Sequence, residues 1–256
     1  RNVNGGIIEN DYDRPPKQVA EENWQFNKDK FPPELDPTLV WLETTNEPDN
    51  ARAAWLAEFA LVQAKLAVAD GRKYAAFGWS SGEPTIESWE TPEMLEFLQY
   101  AGEHPDTVAV ALHEYSFDKD FIASGDIPYP WMVGRFQKLF AICDHHNIPR
   151  PTILITEWGW EYDNIPGNGK GTVYIDEAME DIRWASQLYA AYPQVKGASI
   201  WYLGEGVQFG SIHDQVQQLI APVNDYGISS YFVIHPGQFP IDENMFIPDQ
   251  PTSASQ

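Results

Sequence analysis

Apolar residues along the chain follow two spacings, which predict strands and helices in alternation. Short β-branched or apolar runs predict five strands, at residues 38–48, 73–79, 107–116, 151–160 and 195–204. A longer segment with apolar residues at helical spacing follows each strand, at residues 50–71, 91–104, 130–147, 175–193 and 213–227. Because parallel strands are joined by helical crossovers, this order predicts an α/β fold with a parallel sheet.

Two of the predicted helices also carry residues that usually mark helix ends. The segment 91–104 begins with Thr91 as a candidate N-cap and Pro92 at the first helical position. The Ala-rich segment 50–71 ends at Gly71. These end signals favour the helical interpretation of both segments.

An alternating α/β chain can form either a doubly wound sheet or a (β/α)8 barrel. No Gly-rich phosphate loop follows a predicted strand, which counts against a dinucleotide-binding doubly wound sheet. In a barrel, functional residues collect at the carboxyl ends of the strands. Here those ends read TNEP, GWSSGEP, HEYS, TEWGW and WYLGEG, with polar or aromatic residues that a turn does not need. The barrel is therefore the favoured architecture.

Two of these strand ends carry a glutamate in a distinctive context. Asn46-Glu47-Pro48 ends the first predicted strand, and Glu157 in ILITEWG ends a strand three units later. With HEY between them and a tryptophan after them, the pattern resembles glycoside hydrolase clan A, the retaining (β/α)8-barrel glycosidases of the 4/7 superfamily. The resemblance covers about residues 38–227. It implies that Glu47 is the acid/base at the end of the fourth strand and Glu157 the nucleophile at the end of the seventh.

Retaining glycosidases need two carboxyl groups about 5 to 5.5 Å apart, one protonated and one ionised. The resemblance further implies site roles for Asn46, His113, Tyr115 and Trp201. Trp79 and Trp158 are expected to bind substrate by extending the cleft. Asn46 would bind the sugar 2-hydroxyl, and Trp201 would stack under the sugar. His113 and Tyr115 alternate onto one face of their strand and would orient the nucleophile.

Two other groups of polar residues invite a chemical interpretation. The run CDHHN at residues 143–147 contains metal-ligand types, but surface histidines and a core cysteine are the favoured reading. Neither a metal nor a cofactor is predicted. Glu43 shares the inward side of its strand with Thr45 and Glu47, where a carboxylate must be paired or protonated. The sequence does not identify its partner.

Charge narrows the classes of partner. The formal net charge is −22 and the pI about 4.4, a field that repels nucleic acid and anionic membranes. No apolar run approaches the roughly 18 residues of a membrane span. The single cysteine, Cys143, excludes an internal disulfide. These features suit a neutral carbohydrate substrate, and we expect an extracellular or cell-surface protein.

The early position of Glu47 predicts that strand–helix units are missing before it. Only 37 residues precede Thr38, too few for three such units. We therefore expect an N-terminally truncated (β/α)8-type glycosidase domain at residues 1–237, with strands four to eight and part of unit three. A C-terminal loop and linker tail is predicted at residues 238–256.

An incomplete set of strands cannot close an eight-stranded barrel. We expect an open sheet whose inward side chains meet water, among them Thr45, Ala111, Ile153 and Ile155. The last predicted strand would leave an unpaired edge at residues 197–204, where a second copy of the chain could add a strand.

The predicted function is a retaining glycoside hydrolase that cleaves O-glycosidic bonds of a polysaccharide or oligosaccharide with two glutamates. Two alternatives remain. One is a catalytically inactive carbohydrate-binding barrel, against which the presence of both glutamates argues. The other is a metal-dependent barrel hydrolase, against which the absence of a His-x-His strand end argues.

Overall fold

The computed structural model describes residues 11–116, 122, 129–160, 165, 173–203, 210–229, 234–235 and 237–241. Its strands are β1 (Trp41–Glu43), β2 (Lys73–Trp79), β3 (Val108–Ser116), β4 (Thr152–Trp160) and β5 (Val195–Ile200). Its α-helices are α1 (Pro16–Lys28), α2 (Ala53–Ala69), α3 (Ile86–Trp89), α4 (Pro92–Glu103), α5 (Phe136–His145), α6 (Ile175–Ala190) and α7 (Gly210–Ser229). Within these ranges, none of the helices has the length and apolar character that crossing a bilayer requires.

The strands form one five-stranded sheet in chain order, from β1 to β5. Pairing is parallel, with Leu42 beside Tyr74 and Tyr74 beside Val108. The predicted α/β class and the five strand–helix units are therefore confirmed for the described residues. Such a sheet is compatible with part of a (β/α)8 barrel.

Several predicted elements differ in length from those observed, among them the strand at 195–204, which spans only Val195–Ile200. Of the strand predicted at 38–48, only Trp41–Glu43 is observed as β1. The residues after it bond to β2 through the Thr45 side chain and the Glu47 N–H and do not continue the regular ladder. The helix predicted at 130–147 spans only Phe136–His145. A short helix, Ile86–Trp89, was not predicted, although Thr85 caps it by accepting from the Ser88 N–H. Of the part of unit three that is expected at the start of the chain, residues 1–10 lie outside the described ranges.

The chain divides into two compact units. The first comprises Arg1–Leu112, Phe136–Leu154 and Ile241–Gln256, and the second comprises His113–Arg135 and Ile155–Pro240. The tail predicted from residue 238 lies mostly outside the described residues, and the proposed boundary there stays a prediction.

In the first unit, α1 packs on α2 through an apolar cluster and a buried polar network. Val19 of α1 meets Phe59 of α2 in the cluster. The buried amide of Gln63 donates to Asn23 at 2.7 Å and accepts from the hydroxyl of Thr44. Because the Gln63 amide finds a partner at both its oxygen and its nitrogen, this network ties the segment that follows β1 to both helices.

The expectation that inward sheet residues meet water is wrong. Thr45, Ala111, Ile153 and Ile155 are all at most 4% exposed. The hydroxyl of Thr45 donates to the carbonyl of Phe77, which holds this side chain against β2. At the far end of the sheet, β5 does expose its side chains from residue 196 to 199. Self-association along that edge stays a prediction.

Candidate active site

The first unit presents Glu47 from an unusual backbone conformation. Its φ is +44°, in the left-handed region that side-chain-bearing residues rarely adopt. The Glu47 N–H donates to the carbonyl of Gly78 at 2.9 Å. The side chain of Glu47 is exposed and that of Asn46 is half-buried. The chain therefore leaves the strand after Glu43 and turns so that Glu47 reaches the surface.

Glu43 carries the second carboxylate at this strand end. It is half-buried and lies over Gly78, where an added Cβ would come within 2.4 Å of its Oε1. Burial, with a smaller contribution from the charge of Glu43, raises the pKa of Tyr74 on β2. The phenol of Tyr74 is therefore neutral beside this carboxylate at ordinary pH.

In the second unit, Glu157 lies against two side chains of β3. The hydroxyl of Tyr115 donates to Oε2 of Glu157 at 2.7 Å. Nδ1 of His113 lies 3.5 Å from the same oxygen. His113 and Tyr115 reach it together because residues two apart on a strand share a face. Glu157 is only 7% exposed, so this charge-assisted hydrogen bond holds its carboxylate in one orientation.

An aromatic ring adjoins this group. Trp201 follows β5 and is partly exposed, and its ring meets that of Tyr115 edge-on, with 6.3 Å between the ring centroids. The Trp201 N–H donates to the carbonyl of Trp158 at 2.9 Å, which fixes the backbone after β5 to β4. An accessible indole beside a carboxylate is suited to stacking on the apolar face of a sugar.

The sequence analysis missed Glu114, on the opposite face of β3 from His113 and Tyr115. It is fully buried, and its Oε2 accepts from the hydroxyl of Tyr189 on α6 at 2.7 Å and from the N–H of Gly134 at 2.8 Å. Burial, together with the charge of Glu114, raises the pKa of Tyr189 well above its ordinary value. The signal was strand alternation, which turns residue 114 towards a covering helix, where a carboxylate needs donors.

Two predicted substrate-binding tryptophans are buried in packing contacts. Trp79 is fully buried and stacks on Phe77, with ring centroids 5.0 Å apart. Trp158 follows Glu157 in the strand, so its side chain points to the other face, where it lines a cavity of about 440 Å³ with Ile182 and Ala185 of α6. The suggested cleft roles of Trp79 and Trp158 find no support in this placement.

The structure thus divides the predicted site residues between the two units. The second unit brings together Glu157, His113, Tyr115 and Trp201. The first unit holds Glu47 and Asn46 at one strand end and Trp79 in its core.

The cysteine and histidines of the run CDHHN are arranged as the sequence predicts. Cys143 is fully buried, and burial raises the pKa of its thiol to about 12. His145 and His146 are exposed, and Nε2 of His146 lies 3.4 Å from Glu90. A protonated core thiol is a poor metal ligand, so this run is a core cysteine with surface histidines.

No protein-family model matches the chain, and no curated protein matches it.

Proposed function

We propose that the protein is a retaining glycoside hydrolase of the (β/α)8 type that cleaves O-glycosidic bonds of a polysaccharide or oligosaccharide. Glu157 is the nucleophile and Glu47 the acid/base. One observation carries the proposal: a nearly buried carboxylate at a strand end, oriented by the hydroxyl of Tyr115 and adjoined by the partly exposed ring of Trp201. The five-stranded parallel sheet supports it as a part of the fold that the resemblance implies.

The reaction takes two displacements. In the first, an oxygen of Glu157 attacks the anomeric carbon, the glycosidic bond breaks, and Glu47 gives its proton to the leaving oxygen. In the second, Glu47 takes a proton from water, which attacks the anomeric carbon and releases the Glu157 carboxylate. Two inversions retain the configuration. The mechanism requires the two carboxyl groups about 5 to 5.5 Å apart, and that spacing stays a prediction.

The side chains have distinct tasks in this scheme. Tyr115 and His113 hold Oε2 of Glu157 and so orient its carboxylate towards the anomeric carbon. Trp201 offers a stacking surface for the sugar. Asn46 precedes the acid and would bind the sugar 2-hydroxyl, as the resemblance implies.

The first test is a screen of the protein against β-linked glycans, with the anomeric configuration of fresh product followed by NMR. Retained configuration is expected, and an inverted product would contradict the mechanism. Glu157→Ala should abolish turnover. If added azide attacks the anomeric carbon in place of the missing carboxylate, the glycosyl azide that forms should have inverted configuration. Glu96→Ala, which removes an exposed glutamate of α4, is the control and should leave activity unchanged.

The role of Glu47 is tested by the leaving group of the substrate. Glu47→Ala should spare the first step for aryl glycosides with good leaving groups, because those need little protonation. It should slow poor leaving groups by roughly 100-fold or more. Equal loss on all substrates would contradict the assignment. Glycan binding by the wild-type protein without turnover would favour an inactive carbohydrate-binding barrel.

The extracellular or cell-surface location stays a prediction.

A further inference from the structure

An irregularity in β2 lies directly beside the end of β1. In the pairing of β2 with β3, Phe77 lies beside Ala111 and Trp79 beside Leu112, so Gly78 is an extra residue on its strand. This is a β-bulge, a feature that often re-aims side chains next to active sites. Its backbone is unusual, because φ is +77° at Phe77 and +60° at Gly78.

The conformation of Phe77 is held by packing. A bulky residue at positive φ is unfavourable and persists only where its surroundings determine it, most often at functional sites. The Phe77 ring is 1% exposed, and its centroid lies 5.0 Å from those of both Trp79 and Phe97. These buried aromatic contacts stabilise the bulge.

The bulge directs two successive carbonyls of β2 towards the segment that carries Glu47. The carbonyl of Phe77 accepts from the hydroxyl of Thr45 at 2.9 Å, and that of Gly78 accepts from the Glu47 N–H at 2.9 Å. Successive carbonyls of a regular strand point to opposite neighbours, so an unbulged β2 could not make both bonds. The positive φ of Glu47 is thus fixed by the positive φ angles of Phe77 and Gly78 in β2.

We propose that the bulge at Phe77 and Gly78 positions the acid/base carboxyl group, and that Thr45 and Gly78 are positioning residues for Glu47. This inference rests on the proposed function, in which Glu47 protonates the leaving oxygen. Mispositioning Glu47 then lowers kcat/KM, which reports the first displacement, only where protonation limits that step. The dependence of rate on the leaving group is therefore a readout that a merely structural defect does not change.

The first experiment removes one hydroxyl. Thr45→Val keeps the volume of the side chain and deletes the bond to the Phe77 carbonyl. We expect kcat/KM for aryl glycosides with poor leaving groups to fall roughly 10-fold or more, with good leaving groups nearly unaffected. Thr45→Ser restores the hydroxyl and should restore the rate. Thr44→Val is the matched control, because Thr44 is equally buried but donates to Gln63 of α2 instead.

The second experiment adds one methyl group. A Cβ at Gly78 would lie 2.4 Å from Oε1 of Glu43 and 3.3 Å from the carbonyl oxygen of Thr45, so Gly78→Ala must displace the Glu43 carboxylate and crowds the backbone that precedes Glu47. Gly71→Ala is the control, because Gly71 has a similar φ of +67° with nothing within 4 Å of its Cβ position. Both variants bear the same backbone strain, but only Gly78→Ala should steepen the dependence on the leaving group.

The outcomes separate this inference from the proposed function. If Glu47→Ala steepens the dependence on the leaving group and neither Thr45→Val nor Gly78→Ala does so, the inference alone is wrong. If Glu47→Ala does not steepen it, the proposed function is wrong and the inference falls with it. Crystal structures give a readout without activity. The Glu47 carboxyl carbon should move by about 1 Å or more in both variants but not in Gly71→Ala, and an unmoved Glu47 would overturn the inference.

Discussion

Replacing Tyr115 by phenylalanine tests the most specific contact of the candidate site. The change removes only the hydroxyl that donates to Glu157 at 2.7 Å. A hydrogen bond to a charged acceptor contributes about 1.5 to 3 kcal/mol, and one to a neutral acceptor about 0.5 to 1.5 kcal/mol. In the proposed mechanism Glu157 is charged in the free enzyme and neutral as the glycosyl ester. The bond therefore favours the carboxylate over the ester by about 1 to 1.5 kcal/mol.

That difference acts mainly on the second displacement, in which the Glu157 carboxylate is the leaving group. Without the Tyr115 hydroxyl its release should be slower by roughly 5- to 13-fold. With a substrate whose good leaving group makes this step rate-limiting, Tyr115→Phe should lower kcat by that factor. KM should fall too, because the covalent intermediate accumulates.

The assay combines steady-state kinetics with intact-protein mass spectrometry after a rapid acid quench. We expect the fraction of protein carrying the glycosyl mass to be larger for Tyr115→Phe than for wild type. Tyr174→Phe is the control, since Tyr174 is 45% exposed and should behave like wild type. An unchanged kcat would refute the reasoning. A higher KM at unchanged kcat would assign Tyr115 to substrate binding alone.

Two further predictions concern stability. Gly102→Ala in α4 should lower the free energy of unfolding by about 1 to 3 kcal/mol, because its Cβ would lie 2.0 Å from the carbonyl oxygen of Pro149. Gly227→Ala in α7, where the added Cβ meets open space, should be neutral or stabilise by up to about 1 kcal/mol. Urea unfolding measures both variants, and equal effects would contradict the packing. The hydrogen bond from Trp24 lowers the pKa of Asp70 below its ordinary 3.8. The stabilising contribution of the Asp70 carboxylate is therefore present above that pH and is lost as the pH falls through the lower folded-state pKa. The free energy of unfolding of wild type should lose its excess over that of Asp70→Asn between about pH 5 and pH 2. A difference that stays constant with pH would contradict this.

Local signals in the sequence were sufficient where a segment depends on its own residues. The strand predicted at 73–79 coincides with β2, and Thr91 caps α4 by accepting from the Met94 N–H, as predicted. The strand predicted at 38–48 is shorter because the contacts that end it come from β2, which follows it in the chain. Periodicity describes one segment at a time, and a strand end set by its neighbour lies outside that description.

Strand alternation explains where three of the predicted substrate-binding residues lie. It places His113 and Tyr115 on one face of β3, where the structure brings both to Glu157. The same rule places Trp158 on the opposite face of β4 from Glu157, against α6, and its role in binding substrate stays a prediction. An aromatic residue next to a candidate catalytic residue therefore shares its side of the sheet only when the two have the same parity along the strand.

The bulge in β2 also had a signal in the sequence. A glycine between two aromatic residues inside a β-prone run, here Phe77-Gly78-Trp79, is typical of a bulge or of close backbone approach. Consecutive strands of a parallel sheet are usually neighbours, so the segment facing that bulge could be expected to be the one that ends in Glu47. What no local pattern could predict is that both carbonyls of the bulge bond to this segment, since that depends on backbone angles at Phe77 that its own sequence disfavours. The position of Glu47, the proposed acid/base, is therefore expected to depend on packing around Phe77 as well as on the motif that contains it.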